Sequence, residues 1–299
     1  MKRRAILAGG LATAAAGLGR VRAEEVREGA EPFKVLFAPN PRHFGVGKDE
    51  GRYLDAMKQA HDLGFRAWED NGMKKVSRGL QEQIGEFLRE HDWTMGVTVV
   101  TTGHKAVFAE ASAEEQERIL GDYRQAVELA KVVGHKWFTL VPGCRNPEVE
   151  LSKQIAGQGE LMQRGCDLFE EAGLVAVVEP LSHPMRGAPV LLETFVEGME
   201  FCQAVNRPES CRLLADYFHE QQMAGDLIRH TDECWDWIEY VQYGDVPGRK
   251  QPGTGEINYT NVTKHLVEKG YEGVIGLEHG IAGTLEDLVG SYREIDGAL

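Results

Sequence analysis

The stretch Leu174-Val175-Ala176-Val177-Val178-Glu179 decides the fold class, because five apolar residues run without interruption into a carboxylate. An uninterrupted apolar run is typical of a parallel strand covered on both faces, whereas a strand with one solvent face would alternate with polar residues. A helical pattern that stops at Gly173 precedes the run. The stretch therefore predicts a buried parallel strand in an α/β fold.

Similar strand patterns alternate with helical patterns along the whole chain at a nearly constant interval. The eight predicted strands are 33–38, 65–69, 96–100, 136–141, 174–179, 211–216, 237–242 and 274–278. Among the helices, one begins at Ser112 with a capping box to Glu115, one covers about 150–172, and the last starts near Thr284. Eight strands that are each followed by a helix predict a single-domain (β/α)8 TIM barrel over 33–299. The alternative is an open doubly wound sheet, which would require a glycine-rich turn after the first strand.

The first residues have the features of an export signal. Met1-Lys2-Arg3-Arg4 is basic, an Ala/Gly-rich apolar run follows, and Val21-Arg22-Ala23 places small residues at positions compatible with cleavage. The arginine pair resembles a twin-arginine signal, and the apolar run is too short for a transmembrane span. The alternative is the basic N-terminus of a cytosolic protein. The predicted organisation is a signal peptide over 1–23, a linker over 24–32 and the barrel, which implies a periplasmic or secreted protein that is free of the membrane after cleavage.

Charge and cysteine content limit the partners of the protein. The chain has a net charge of −14, and without residues 1–23 it has 28 basic against 47 acidic residues, a net charge of −19. So acidic a surface repels phosphate backbones, which argues against a nucleic-acid partner. The five cysteines show no CxxC spacing, so neither a disulfide framework nor a thiolate zinc site is indicated. A small-molecule substrate remains the expected partner, and the sequence leaves homo-oligomerisation open.

Four polar side chains end four successive predicted strands: Glu179, Asp216, Gln242 and Glu278. In a barrel the carboxyl ends of all strands meet on one face, so these side chains should converge there. Three carboxylates and an amide oxygen are hard ligands suited to one divalent cation such as Mn²⁺ or Mg²⁺. The alternative is that the acids only cap loops or pair with arginines.

The motifs around these residues resemble the hydroxypyruvate isomerase branch of the xylose isomerase-like TIM barrels. The stretches concerned are Val178-Glu179-Pro180-Leu181, Asp216-Tyr217-Phe218-His219, and Gln242 to Arg249 followed by Gln251 to Tyr259. The resemblance implies the same four metal ligands, and proton transfer between adjacent carbons of a keto acid or keto sugar through an enediolate. It implies that Glu179 and Glu278 are the catalytic acid–base pair, and that His219 and Arg249 bind the substrate. His183 and Glu69 are further candidate substrate contacts.

The sequence departs from the family at the substrate end of the predicted pocket. His279 and Gly280 follow Glu278 where the family has an aromatic residue and a lysine, and Ser182 stands where the family commonly has asparagine. These changes leave room for a different substrate. A metal-dependent lyase or dehydratase acting on keto-sugars or cyclitols is therefore an alternative to the isomerase, and a non-catalytic periplasmic sugar-binding barrel is another.

Overall fold

A computed structural model describes residues 29–47, 50–101, 110–182 and 189–299. The predicted signal peptide and most of the predicted linker lie outside the described residues, so export remains a prediction. Residues 29–32 are exposed and have no regular secondary structure.

The described part of the chain contains nine short strands whose pairings are all parallel. They are β1 (Leu36–Ala38), β2 (Ala67–Trp68), β3 (Thr94–Met95), β4 (Thr98–Val99), β5 (Trp137–Leu140), β6 (Val175–Val178), β7 (Cys211–Asp216), β8 (Ile238–Tyr243) and β9 (Val274–Leu277). Seven follow the order β1-β9-β8-β7-β6-β5-β4, and β2 pairs with β3. The Glu69 amide donates to the Pro39 carbonyl at 3.0 Å, which joins the end of β2 to the end of β1. The predicted TIM barrel is confirmed.

Helices surround this sheet. They are α1 (Tyr53–Asp62), α2 (Arg78–Glu90), α3 (Ala113–Val133), α4 (Leu151–Gly157), α5 (Gly159–Glu170), α6 (Phe195–Val205), α7 (Tyr217–Met223), α8 (Leu227–Cys234), α9 (Tyr259–Glu268) and α10 (Leu285–Gly297). The predicted capping box of Ser112 and Glu115 is present, and α3 ends at Gly134 in the left-handed conformation. Among the helices of the described residues, none is both long and apolar enough to cross a bilayer.

The burial of strand β6 on both faces explains why its sequence is apolar throughout. Val175 and Val177 belong to the small cluster inside the barrel, whereas Ala176 and Val178 belong to the large cluster between the strands and the helices. Because side chains alternate along a strand, both sets are buried only when both faces of the sheet are covered.

The predicted third strand, 96–100, is shorter in the structure, and a separate short strand precedes it. Thr94–Met95 and Thr98–Val99 form separate short strands on either side of Gly96. A Cβ atom at Gly96 would lie 2.3 Å from the Tyr240 hydroxyl, so the backbone here makes room for a tyrosine that fills the barrel. The sequence gives no sign of this contact, because it joins residues that are far apart in the chain.

The single helix expected over 150–172 is wrong. The structure has α4 and α5 instead, separated at Gln158. Glycines flank this residue at 157 and 159, and glycine is among the least favourable residues in a helix interior. The break therefore has a local cause that the sequence already contained.

His135, just before β5, gives a stability prediction. It is 4% exposed, neither ring nitrogen has a hydrogen-bond partner among the described residues, and burial lowers its pKa to about 3. Between pH 6.5 and pH 3 the unfolded chain therefore binds one more proton here than the folded chain, so stability falls as the pH falls. Because the unfolded histidine is about half protonated at pH 6.5, acidification from pH 6.5 to pH 5 should cost about 1.6 kcal/mol at this residue, with a limiting slope of about 1.4 kcal/mol per pH unit.

We expect His135→Phe to remove that part of the pH dependence. Urea unfolding of both proteins at pH 6.5 and pH 5 measures it, and the difference between the proteins cancels all other titrating groups. Equal losses of unfolding free energy on acidification would show that His135 is protonated in the folded protein.

Candidate active site

The four predicted strand-end residues lie on one rim of the barrel. Asp216 in β7 is paired in register with Gln242 in β8, and Gln242 is paired with Gly276 in β9. Glu179 directly follows β6 and Glu278 directly follows β9. Since β6 adjoins β7 and β9 adjoins β8, the two glutamates flank the Asp216–Gln242 pair.

Three side chains on this rim form a close cluster: Glu179, Asp216 and His219. One polar atom from each lies within 4.8 Å of those of the other two. His219 Nε2 lies 3.5 Å from Asp216 Oδ2 and 3.8 Å from Glu179 Oε1. All three residues are buried. His219 reaches the cluster because α7 begins immediately after Asp216, whose Oδ1 accepts the Phe218 amide at 2.9 Å.

The hydrogen bonds of His219 decide what its ring can do. The Ser182 amide donates to His219 Nδ1 at 3.0 Å, so Nδ1 is an acceptor. In a neutral imidazole the proton is then on Nε2, the nitrogen that faces the two carboxylates. A protonated nitrogen cannot bind a metal. Despite its place in the cluster, His219 is therefore suited to donate a hydrogen bond to an oxygen atom.

Gln242 lies next to Asp216 on the neighbouring strand and has an amide oxygen available for a ligand. Its Nε2 donates to Glu69 Oε1 at 3.0 Å, whereas its Oε1 is buried and has no hydrogen-bond partner among the described residues. A buried amide oxygen without a partner is costly unless something binds to it. A cation between the Glu179, Asp216 and Gln242 oxygens would satisfy it, so the donor set fits a hard divalent ion.

Glu278 lies beside this cluster rather than within it. Its Oε2 accepts from Arg249 Nη2 at 2.9 Å and its Oε1 accepts from Asn71 Nδ2 at 3.0 Å. The same Arg249 nitrogen also donates to Asp216 Oδ2 at 2.7 Å, and the guanidinium stacks 4.7 Å from the centre of the Phe218 ring. Arg249 thus links the two carboxylates from the loop after β8.

Electrostatics at the rim are dominated by crowded acids. Burial raises the pKa of the Glu179 carboxyl well above its usual range, and repulsion from Glu278 and Asp216 raises it further. Burial followed by repulsion from Glu278 does the same to Glu69. Burial also raises the pKa of Asp216, although Arg249 opposes the shift. A cation would favour the charged forms of these acids.

The four residues predicted to contact the substrate lie in different places. His219 and Arg249 lie at the rim, and Glu69 lies just below it in the barrel interior, 1% exposed. His183 lies outside the described residues. Of the departures from the family, His279 is buried with its Nε2 2.7 Å from the Tyr292 hydroxyl, and Ser182 contacts His219.

Asn71 and Tyr240 are contacts that the sequence analysis missed. Asn71 follows Glu69 by two residues and holds Glu278, and Tyr240 precedes Gln242 by two residues and holds Glu69 at 2.8 Å. For Tyr240 the spacing was an available signal, because residues two apart in a strand share a face.

A cavity of about 550 Å³ opens beside Glu278, over the ends of β1 and β2. Arg42, Asn71 and Lys75 are among the residues that line it. Neither Arg42 nor Lys75 has an ion-pair partner among the described residues. The cavity connects the rim to solvent, and a second hollow shares Arg42 and Glu278 with it.

Known proteins with similar sequences are named as isomerases. The 2-oxo-tetronate isomerase of Pectobacterium atrosepticum is 29% identical over 241 residues, which cover 80% of this chain and 90% of that protein. The hydroxypyruvate isomerase of Escherichia coli is 26% identical over 250 residues, which cover 78% and 90%. With three other curated relatives, the chain spans only 58–61% of the relative's length.

The fold is also found among solved structures. The crystal structure of AP endonuclease, family 2, from Brucella melitensis superposes with a TM-score of 0.74 at 21% identity, covering 87% of this chain and 98% of that one. A family model described as xylose isomerase-like TIM barrel matches residues 57–294, most of the chain. The protein therefore belongs to the xylose isomerase-like TIM barrel family.

Proposed function

We propose that the protein is a metal-dependent isomerase that moves a proton between adjacent carbons of a small keto acid. One observation carries this proposal: two carboxylates, Glu179 and Glu278, flank the Asp216–Gln242 pair at the carboxyl rim of the barrel. A binding protein needs no acid–base group on each side of its ligand. The names of the two relatives, both isomerases of 2-oxo acids, support the same reaction class.

Glu179, Asp216 and Gln242 Oε1 would hold the ion, with Glu278 completing the set, and Mn²⁺ or Mg²⁺ suits these oxygen ligands. Such an ion polarises a carbonyl and acidifies the neighbouring C–H bond. The unpartnered Gln242 oxygen and the raised pKa values of Glu179 and Asp216 support this assignment.

The two glutamates would transfer the proton. One carboxylate takes the proton from the carbon that bears the hydroxyl group, and the bonding electrons move into the adjacent carbonyl to give an enediolate. A proton is then returned to the former carbonyl carbon, while the hydroxyl proton passes from the first oxygen to the former carbonyl oxygen, so that the first oxygen becomes the new carbonyl. Burial and the neighbouring acids raise the pKa of Glu179, which suits a general base that works near neutral pH.

His219 and Arg249 would orient the substrate. His219 Nε2–H is directed to the space beside Glu179 and Asp216, where it can donate to a substrate oxygen. Arg249 Nη2 is fixed between Asp216 and Glu278 by two hydrogen bonds, and Nε donates to the Glu278 carbonyl. The remaining N–H groups suit a carboxylate or a pair of hydroxyls.

Two cations in the cavity beside Glu278 could bind an acidic group of the substrate, although the carboxyl groups of Glu50 and Asp70 also line this cavity. Arg42 and Lys75 line it without ion-pair partners in the described residues, although the chain as a whole has a net charge of −14. Two such cations next to a catalytic carboxylate would attract an anionic group and bind it with charge-assisted hydrogen bonds.

We therefore expect Arg42→Gln and Lys75→Gln each to raise KM for hydroxypyruvate about tenfold, since one charge-assisted hydrogen bond contributes about 1.5–3 kcal/mol. KM for dihydroxyacetone, which has a hydroxymethyl group in place of the carboxylate, should not change. Lys264→Gln, on the exposed face of α9, is the matched control. Equal effects on both compounds would mean that the cavity does not recognise the acid.

Deuterium exchange tests the reaction itself. With Mn²⁺ in D₂O, we expect the protein to incorporate deuterium at the hydroxyl-bearing carbon of hydroxypyruvate and to form the isomeric aldehyde. With a four-carbon 2-oxo acid that has a hydroxyl group on the adjacent internal carbon, the expected product is the 3-oxo acid, with the same exchange. Loss of a hydroxyl group instead would indicate a dehydratase. Binding without exchange across keto acids and keto sugars would indicate a sugar-binding barrel.

A further inference from the structure

Glu69 occupies an unusual position for a predicted substrate contact. It follows β2, but its side chain turns into the barrel, where it is 1% exposed. Its Oε2 accepts from the Tyr240 hydroxyl at 2.8 Å and its Oε1 accepts from Gln242 Nε2 at 3.0 Å. Both carboxyl oxygens are therefore committed to protein donors on β8.

Two glycines leave space for this carboxyl group. A Cβ atom at Gly276 in β9 would lie 1.9 Å from Glu69 Oε2, and a Cβ atom at Gly96 would lie 2.3 Å from the Tyr240 hydroxyl. Neither position has a positive φ that would by itself call for glycine. The absence of side chains at both positions is thus what allows the Glu69–Tyr240–Gln242 hydrogen-bond network to form inside the barrel.

The network fixes the orientation of an amide. The two ends of the Gln242 amide have similar shape but opposite hydrogen-bonding character. A carboxylate accepts hydrogen bonds, so the end nearest Glu69 must be Nε2, and Oε1 must face Asp216 and the rim. A reversed amide would present its N–H groups to the rim and leave two oxygens in contact.

We propose that Glu69 is a positioning residue, which holds the Gln242 amide so that its oxygen faces the divalent ion. The inference rests on the proposed ion site. In this role Glu69 would contact neither the ion nor the substrate, although it reaches the edge of the cavity beside Glu278. Groups that orient metal ligands in this way commonly contribute 10- to 100-fold to metal affinity.

Mn²⁺ titration of the full chain tests this role. Glu69→Met keeps the length of the side chain but removes the acceptor, so the Kd for Mn²⁺ should rise about 10- to 100-fold. Glu69→Gln keeps an acceptor for Gln242 Nε2 and can donate to the Tyr240 oxygen, so its Kd should stay within about threefold of the wild-type value by the same reasoning. Glu69→Met also leaves the buried Tyr240 hydroxyl and Gln242 Nε2 without an acceptor, so its melting temperature without metal should fall as well. The Kd for Mn²⁺ of the folded variant is therefore the deciding measurement.

Three other results of the Mn²⁺ titration would each contradict a different proposal. Absence of Mn²⁺ binding by the wild-type protein would overturn the ion site and with it this inference. Wild-type affinity in Glu69→Met would overturn the inference alone. Equal weakening in Glu69→Gln and Glu69→Met would show that the charge of Glu69 matters and that amide orientation does not.

A glycine pair gives a second test that leaves Glu69 in place. Gly276→Ala should displace the Glu69 carboxyl group and weaken Mn²⁺ binding, whereas Gly121→Ala, where a Cβ atom meets nothing within 4 Å, should not. Equal Mn²⁺ affinities of the two folded variants would contradict the proposal even if Glu69→Met failed to fold.

Discussion

Glu179→Gln and Glu278→Gln should each lower kcat for the isomerisation by at least about 10²–10³-fold, within the range that a general acid–base group contributes. Glutamine has the shape of glutamate but cannot accept a proton from carbon. Because the two residues flank the Asp216–Gln242 pair, neither is placed to replace the other. Solvent deuterium exchange into hydroxypyruvate at saturating Mn²⁺ measures the loss directly.

The two variants should differ in metal affinity. Glu179 lies in the cluster with Asp216, whereas both oxygens of Glu278 are hydrogen-bonded to Arg249 and Asn71. Glu179→Gln should therefore weaken Mn²⁺ binding more than Glu278→Gln does. Glu171→Gln, at the exposed C-terminus of α5, is the control for a charge change alone. If both site variants kept more than a tenth of the wild-type exchange rate, the proposed proton transfer would be wrong.

Buried strands and their ends were predictable because the necessary information is local. The apolar run before Glu179 and the spacing of one βα unit to Asp216 are properties of short stretches, and barrel geometry then brings the strand ends together. Strand β7 has the predicted bounds, Cys211–Asp216. Helix α3 also begins and ends as predicted, because its capping box and its C-terminal glycine are read directly from the sequence.

What could not be predicted depends on contacts between distant segments. Glu69 ends its strand as expected, but only the space above Gly276 and the donors on β8 turn its side chain into the barrel. Likewise, the sequence cannot show that Arg249 joins Asp216 to Glu278, because that contact is set by the path of the loop after β8. Sequence spacing therefore predicts which residues reach the rim, and tertiary packing decides which of them contact one another.

Removal of the divalent ion should abolish activity and destabilise the protein. At a Mn²⁺ concentration 100 times the Kd, binding should stabilise the folded state by about 2.7 kcal/mol, which is about 5–10 °C in melting temperature for a barrel of this size. The effect should be larger at pH 7.5 than at pH 5.5. Since burial and neighbouring acids raise the pKa of Glu179, protons compete with the cation for this site as the pH falls.

Asp216→Asn should remove both the thermal shift and the activity, although its Oδ1 can still accept the Phe218 amide and keep the start of α7 in place. Asp236→Asn, in an exposed position before β8, is the matched control and should retain the full shift. Thermal melts of EDTA-treated protein with and without Mn²⁺ or Mg²⁺ measure the difference. An unchanged wild-type melting temperature at millimolar concentrations of either ion would contradict the proposed ion site. Protons and Arg249 alone would then have to stabilise the crowded acids, and the oxygen of Gln242 would have no cation to bind.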